Sequence, residues 1–382
     1  MTPADLSRTV LHAVRRAVDE DALRAPVPAR VRVERTRPGG SGDYACAVAL
    51  QLARPAALPA LEVARILRER VAAEPGVGRV EITGPGFLSF TLDAPAESDR
   101  AVLAAVREQG LAYGHGDALR DEIHRYHHAR EVRAAVTAQT VRRLLTAQGA
   151  RVRTTCAEPP DPDWGRLGVT VDAHGTPPVP LTGIRPVPAG ATAGELLERL
   201  GPDAARWGLL RAAGHDRAAL GPELLVQGEA NPLFRVRYAH ARARALTRGA
   251  AALGFTAEPA PYGASPSGPA AHGASPAAQA ANAALTATTA YDAPARPLLD
   301  LIADHPGVLL AGARHRAPDR VARQLEAVAH AFFDFHDSCP PLPAGDEKPS
   351  AAHRARLAIA EAAGTVLAGG LSLLGIRAPE HL

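Results

Sequence analysis

The segment from Ala358 to Leu374 is apolar on almost every side, with only Glu361, Thr365 and Ser372 interrupting Ala, Ile, Val, Leu and Gly. A helix without a polar stripe cannot lie on a surface, so it must be enclosed by other helices. Upstream, residues 231–242 open a helix of a different kind. Phe234, Tyr238, Ala241 and Ala245 recur at steps of three and four and share one face, while Arg235, Arg242 and Arg244 project elsewhere. Helical periodicity fills much of the interval between these two segments, and residues 229–382 are predicted to form an all-α bundle.

The start of the chain reads differently. A helix is predicted over 5–24, with Leu6, Val10, Ala13, Val14, Ala17 and Val18 on one face. An alternating strand at 31–35 and a glycine-rich turn at 39–42 precede a predicted helix from Tyr44 to Leu52. A helix from Leu61 to Ala72 then leads into strands at 79–83 and 86–92. Residues 1–112 are therefore expected to be a small α+β domain. The middle region comprises residues 113–228. Residues 255–292 are Ala, Pro, Gly and Ser with few large apolar side chains, too little burial to offset ordering entropy, and are expected to be a mobile loop. Helices at 297–311, 317–338 and 350–374 complete the bundle.

Composition narrows the function classes. With 382 residues the chain can hold two or three domains. Lys348 is the only lysine, so the basic surface behind a net charge of +3 is made of guanidinium groups. These suit phosphate contacts and base stacking, and a compositional bias gives the same pattern. Cys46, Cys156 and Cys339 have no paired spacing, against disulfides or a cysteine zinc site. His124, His127 and His128 stand at helical spacing without an acidic or cysteine partner and are expected to be a polar patch. No metal or cofactor is expected. The N-terminus lacks a charged-then-apolar leader pattern and no run of about 18 apolar residues occurs, so a soluble cytoplasmic protein without membrane or DNA partners is expected.

Three motifs carry a resemblance. Asn-Pro-x-x-x-Val-x-Tyr-Ala-His-Ala-Arg at 231–242, Leu-x-x-Val-Ala-x-Ala-Phe-x-x-Phe at 325–335 and Gly-Leu-Ser-Leu-Leu-Gly-Ile-x-Ala-Pro-Glu at 370–380 resemble, in that order, the helical anticodon-binding domain of arginyl-tRNA synthetases. Gly42-Asp-Tyr-Ala-x-x-Val-Ala-Leu and Gly84-Pro-Gly-Phe-Leu-Ser-Phe resemble the added N-terminal domain of the same family. The resemblance implies an α+β chain of three parts: the N-terminal domain, a truncated Rossmann-like α/β middle and the C-terminal all-α bundle. It also implies contact of Tyr238, Arg242 and Leu382 with the anticodon, Arg235 standing where the family has an aromatic. Phe87 and Ser89 would touch the D-loop, the alternative being that Phe87 belongs to the core.

The middle region departs from that family. Its ATP signature, His-x-Gly-His before a helix N-terminus, reads here His128-Ala129-Arg130-Glu131. Arg130 replaces the glycine that allows close approach, and Glu131 puts a carboxylate where phosphates would sit. Such a like-charge contact costs on the order of several kcal/mol in a partly buried site. Arg125 stands where many members carry a lysine, and no lysine falls in 172–181, where the second signature would lie. Little of the arginine pocket has room between Gly165 and Thr170. These departures imply a non-catalytic relative that binds tRNA, arginine tRNA on the resemblance, with a protein partner as a further expectation. Two alternatives remain: an interaction or assembly protein that reuses the fold, and a residual arginine–tRNA ligase or other tRNA-dependent enzyme.

Overall fold

The computed structural model describes residues 3–36, 41–74, 77–92, 95–259 and 294–382. The chain separates into two compact units, Met1–Val102 and Leu103–Leu382.

In the first unit the apolar face predicted for α1 (Pro3–Asp19) is buried at Leu6, Val10, Ala13, Val14 and Ala17. The helix stops at Asp19 rather than continuing to 24, because Asp21 adopts a left-handed conformation (φ 54°) and Leu23 turns back into the core. The sheet is antiparallel in the order β1-β2-β4-β3, from β1 (Val33–Arg35), β2 (Tyr44–Cys46), β3 (Val77–Thr83) and β4 (Phe87–Leu92). The helix expected from Tyr44 to Leu52 is a strand followed by α2 (Val48–Ala56). Tyr44 and Cys46 alternate into the core and pair with Phe90 and Leu88, and sheet pairing overrides local helical preference. A third helix, α3 (Ala60–Val71), covers the sheet through Val63, Leu67 and Val71, and α4 (Pro95–Gln109) carries the boundary between the units.

The second unit begins with a β-α-β crossover: β5 (Ile123–His128), α5 (Val132–Ala147) and β6 (Arg151–Cys156). With the two-residue strands β7 (Ala173–His174) and β8 (Thr182–Gly183) they form an all-parallel, Rossmann-like sheet in the order β7-β6-β5-β8. His124, His127 and His128 lie on a strand, not a helix. They therefore separate: His124 pairs with Glu122, His127 bonds Thr155, and His128 is buried. The next helix, α6 (Ala193–Arg211), starts at a Thr192–Glu195 capping box and breaks at Gly201-Pro202.

The bundle consists of α7 (Pro232–Ala252), α8 (Arg296–His315), α9 (Pro318–Ser338) and α10 (Ala351–Leu374). The last of these is long and apolar enough to cross a membrane, yet 83% of that window is buried among its neighbours, as an all-round apolar core helix must be. The core face of α7 is Leu233, Val236, Ala239, Ala243, Leu246 and Ala250; the face expected from Phe234 and Tyr238 is rotated to the rim. At the start of the expected loop, Phe255 and Ala257 are buried, the Glu258 N–H donates to the Arg354 carbonyl (3.2 Å), and the Arg354 guanidinium lies 5.8 Å from the Phe255 ring centre. The docked chain thus runs at least to Pro259; the rest of that loop, 260–292, and half of the 39–42 turn lie outside the described residues.

Candidate nucleic-acid interface

The N-terminus of α5 is where a nucleotide-binding fold holds phosphates, because unpaired backbone N–H groups and the helix dipole converge there. Here that end is occupied by its own chain. Glu131 is the N-cap, and one carboxylate oxygen accepts from the Ala134 N–H at 2.7 Å. Its other oxygen accepts from the Ala189 N–H at 2.8 Å, which draws the loop before α6 over the helix end. Arg130 is turned away, donating from Nε to the Pro159 carbonyl (2.9 Å). His128 is buried against Trp164 with Nδ1 2.9 Å from the Ala129 carbonyl, and burial lowers its pKa, keeping it neutral. Arg125 points to solvent.

Arg133, just inside α5, is fully buried and is held by backbone carbonyls rather than by a carboxylate hydrogen bond. Its guanidinium donates to five backbone carbonyls: Leu209, Ala212 and Ala213 at the end of α6, plus Val187 and Asp216, at 2.6–3.0 Å. A cation at a helix C-terminus is favourably placed, and burial still lowers its pKa. Arg206 of α6 acts similarly, donating to Leu374 (2.8 Å) and Leu167 carbonyls and to Thr140 Oγ1 (3.0 Å). Burial, with Arg143 nearby, pushes its pKa down to about 9, which leaves it charged at neutral pH. Both arginines hold the fold together and neither reaches solvent.

The outer face of α7 is arranged in the opposite way. Asn231 caps the helix, its Oδ1 accepting from the Leu233 and Phe234 N–H groups, while its amide donates to the Leu224 and Val226 carbonyls. Tyr238, 44% exposed, is sandwiched in a column of rings: Phe234 at 5.6 Å and 7° on one side, Phe333 of α9 at 5.5 Å and 23° on the other. Arg235 donates to His330 Nδ1 (3.0 Å), and Arg242 is exposed with no ion pair among the described residues. Leu382 is 58% exposed and shares a recess of about 270 Å³ with Phe234, Val226 and Arg237. Arg235, Tyr238 and Arg242 thus share one face, and Leu382 lies at its edge. The opposite side of α7 borders a groove of about 1490 Å³, but most of its arginines are paired: Arg142 with Asp172, Arg237 and Arg377 with Asp203, Arg244 with Glu380.

Comparison with known proteins fits both units. Residues 5–92 match the family described as arginyl tRNA synthetase N terminal domain, and residues 271–382 the DALR anticodon binding domain. The chain is 27% identical to the arginine–tRNA ligase of Frankia alni in an alignment spanning all of both chains. The chain belongs to the arginyl-tRNA synthetase family. That alignment runs over 579 positions against 382 residues here, so the relative carries stretches this chain lacks. The ligase of Pseudarthrobacter chlorophenolicus is 33% identical over 189 residues, 49% of this chain and 30% of that one. In fold, the chain is similar to the arginyl-tRNA synthetase of Thermus thermophilus (TM-score 0.66, 14% identity, all of both chains). The Plasmodium falciparum enzyme is also similar (TM-score 0.61, 8% identity, 100% and 99% covered).

In this arginyl-tRNA synthetase relative, the two N-terminal candidates differ in access. Phe87 is 37% exposed and so is not a core residue. Ser89 is 3% exposed, and its hydroxyl lies 2.9 Å from that of Thr83 on the neighbouring strand, so it stabilises the sheet and offers nothing outward. Sequence reasoning missed Phe234 and Phe333 as the walls of the Tyr238 column. A signal was present at 332–335: Phe332 and Phe335 fill the core at a three-residue step, which leaves Phe333 to face outward. Nothing local announces Ala189 as the second partner of Glu131.

Proposed function

We propose that the chain is a non-catalytic arginyl-tRNA synthetase relative that binds tRNA through the face around Tyr238. The observation that carries this reading is the Glu131 carboxylate, held by the Ala134 and Ala189 N–H groups at the helix end where ATP phosphates would bind. A triphosphate would have to displace two charge-assisted hydrogen bonds and a negative charge before gaining any contact of its own. By contrast, the ring column of Phe234, Tyr238 and Phe333 leaves the rim of Tyr238 exposed beside Arg235 and Arg242, an aromatic edge next to positive charge that suits unstacked bases beside a phosphate backbone. Arginine tRNA is the expected ligand on family grounds. The three-part division at about 112 and 228 is part of the same reading, with the middle region serving as a spacer. Phe87 is retained as an outward-facing D-loop contact, and Ser89 is not.

A second reading has its own support: Leu225, Val226 and Leu382 are exposed beside the ring column, and an apolar rim of this kind also suits a protein partner. One set of measurements separates the readings. Protein free of host synthetase is expected to show no arginine- and tRNA-dependent pyrophosphate exchange and no charging, which distinguishes it from a residual ligase. Titration with labelled arginine tRNA should show salt-dependent binding that weakens about 10- to 100-fold in Tyr238→Ala Arg242→Ala, in protein that remains folded. Charging above background sinks the non-catalytic half. Equal affinity of the folded double variant sinks the RNA half and moves the interaction-protein reading ahead.

A further inference from the structure

The segment after α10 has little burial to hold it. Of residues 375–382 only Ile376 is enclosed, and Arg377, Glu380, His381 and Leu382 are exposed. Its path is nevertheless defined by groups from the α/β region. Arg206 donates from Nε to the Leu374 carbonyl at the helix end, and Gly375 turns the chain with φ 74°, where a Cβ would collide with the Arg143 and Arg206 guanidinium groups. Only glycine allows that exit. Two residues on, Asp203 of α6, 7% exposed, accepts from the Arg377 N–H (3.3 Å) and Arg377 Nε (3.0 Å), and from Nη2 of Arg237 on α7 (3.1 Å). Farther along, Glu380 pairs with Arg244 of α7 (3.1 Å). Leu382 then comes to lie beside Phe234, the residue that stacks on Tyr238.

We propose that Asp203 is a positioning residue for the RNA-facing surface: by clasping Arg237 and Arg377 together, it fixes segment 376–382 so that Leu382 borders the ring column at Tyr238. This rests on the reading that Tyr238 meets tRNA. A carboxylate this enclosed is poorly solvated, so it holds its partners more firmly than the exposed Arg244–Glu380 pair can. A segment ordered in advance does not have to be immobilised when RNA arrives, which favours binding without adding a contact. The α/β region thereby has a task in RNA binding that needs no nucleotide chemistry.

The test uses the full-length protein, Asp203→Asn, and the same substitution in a chain ending at Arg377. Amide exchange across 376–382 is expected to speed up about tenfold in Asp203→Asn, with α5 and α10 unchanged, and affinity for arginine tRNA to fall about fivefold. In the shortened chain the substitution should bring no further loss. Arg377→Gln removes only the tail half of the clasp and should reproduce both effects even if Asp203→Asn proves unstable. Unchanged exchange in the tail overturns the proposal, as does a loosened tail with unchanged affinity, or an equal affinity loss in the shortened chain. In each of these cases the wild-type protein still binds tRNA and the Tyr238 reading stands. Absence of tRNA binding by the wild type overturns that reading first, and this proposal with it.

Discussion

Two surfaces within the second unit invite comparison: the N-terminus of α5 and the outer face of α7. The first is where the family's ATP signature would fall, and the second is the face proposed above to meet tRNA. At the α5 end the polar side chains of residues 128–133 have partners within the chain: Glu131 on two N–H groups, Arg130 on a carbonyl, Arg133 on five carbonyls, and His128, buried and neutral, on the Ala129 carbonyl. On α7 the rings of Phe234 and Tyr238 and the Arg242 guanidinium are left with solvent on one side. Residue type alone does not distinguish them, since both sites are rich in arginine. What differs is whether the donors and acceptors are already satisfied, and only an unsatisfied surface gains free energy from a ligand.

The comparison is tested most severely where the closed end should be purely structural. Arg133→Met removes five hydrogen bonds and leaves buried carbonyls without donors, so the second unit should lose more than about 3 kcal/mol in denaturant unfolding. A stable, well-folded Arg133→Met protein would mean that water or another donor can enter there, and that the end is less closed than its bonds imply.

Glu131→Ala should act more gently, costing about 1 kcal/mol through the lost cap. It also vacates the helix N-terminus, so inorganic phosphate should recover part of the loss in melting temperature relative to chloride, whereas the wild type gains nothing from phosphate. Equal phosphate stabilisation of both proteins would show that Glu131 does not occupy the anion position. ATP is expected to remain a poor ligand even for the variant, because Arg130 still stands where glycine would allow close approach.

The same contrast governs how far the sequence could be read. Helices were legible where one face is apolar, as in α1, or where all faces are, as in α10, because burial there follows from composition. The strand at Tyr44–Cys46 was not, since its pairing with Phe90 and Leu88 lies more than 40 residues away in the chain. At the candidate site, Arg235 and Arg242 stand three residues before and four after Tyr238 on one helix, so α7 alone brings them together, whereas Phe333 reaches them only through the packing of α9 on α7. Glu131 was legible as a misplaced charge; its capping role needed the loop at Ala189. Strand alternation says which face Ser89 is on, not that its hydroxyl is engaged by Thr83.

The finest distinction lies within the open face itself, between stacking and charge. Tyr238 carries no charge and leaves only its aromatic rim exposed between the flanking rings, so a base packed against it contributes an attraction nearly independent of salt. Arg235 is partly engaged already with His330 at 3.0 Å, so it has one guanidinium edge left for a phosphate. Each phosphate neutralised on a single strand contributes about 0.7 to the slope of log affinity against log salt. Arg235→Ala should therefore flatten that slope by no more than about 0.7 and lower affinity only a few-fold at about 0.15 M salt, while Tyr238→Ala lowers affinity more and leaves the slope alone. His330→Ala, which frees the guanidinium, should leave the slope unchanged or steepen it. If Arg235→Ala and Tyr238→Ala instead shift the slope equally, the ring column acts only by placing charge, and the distinction between the two residues disappears.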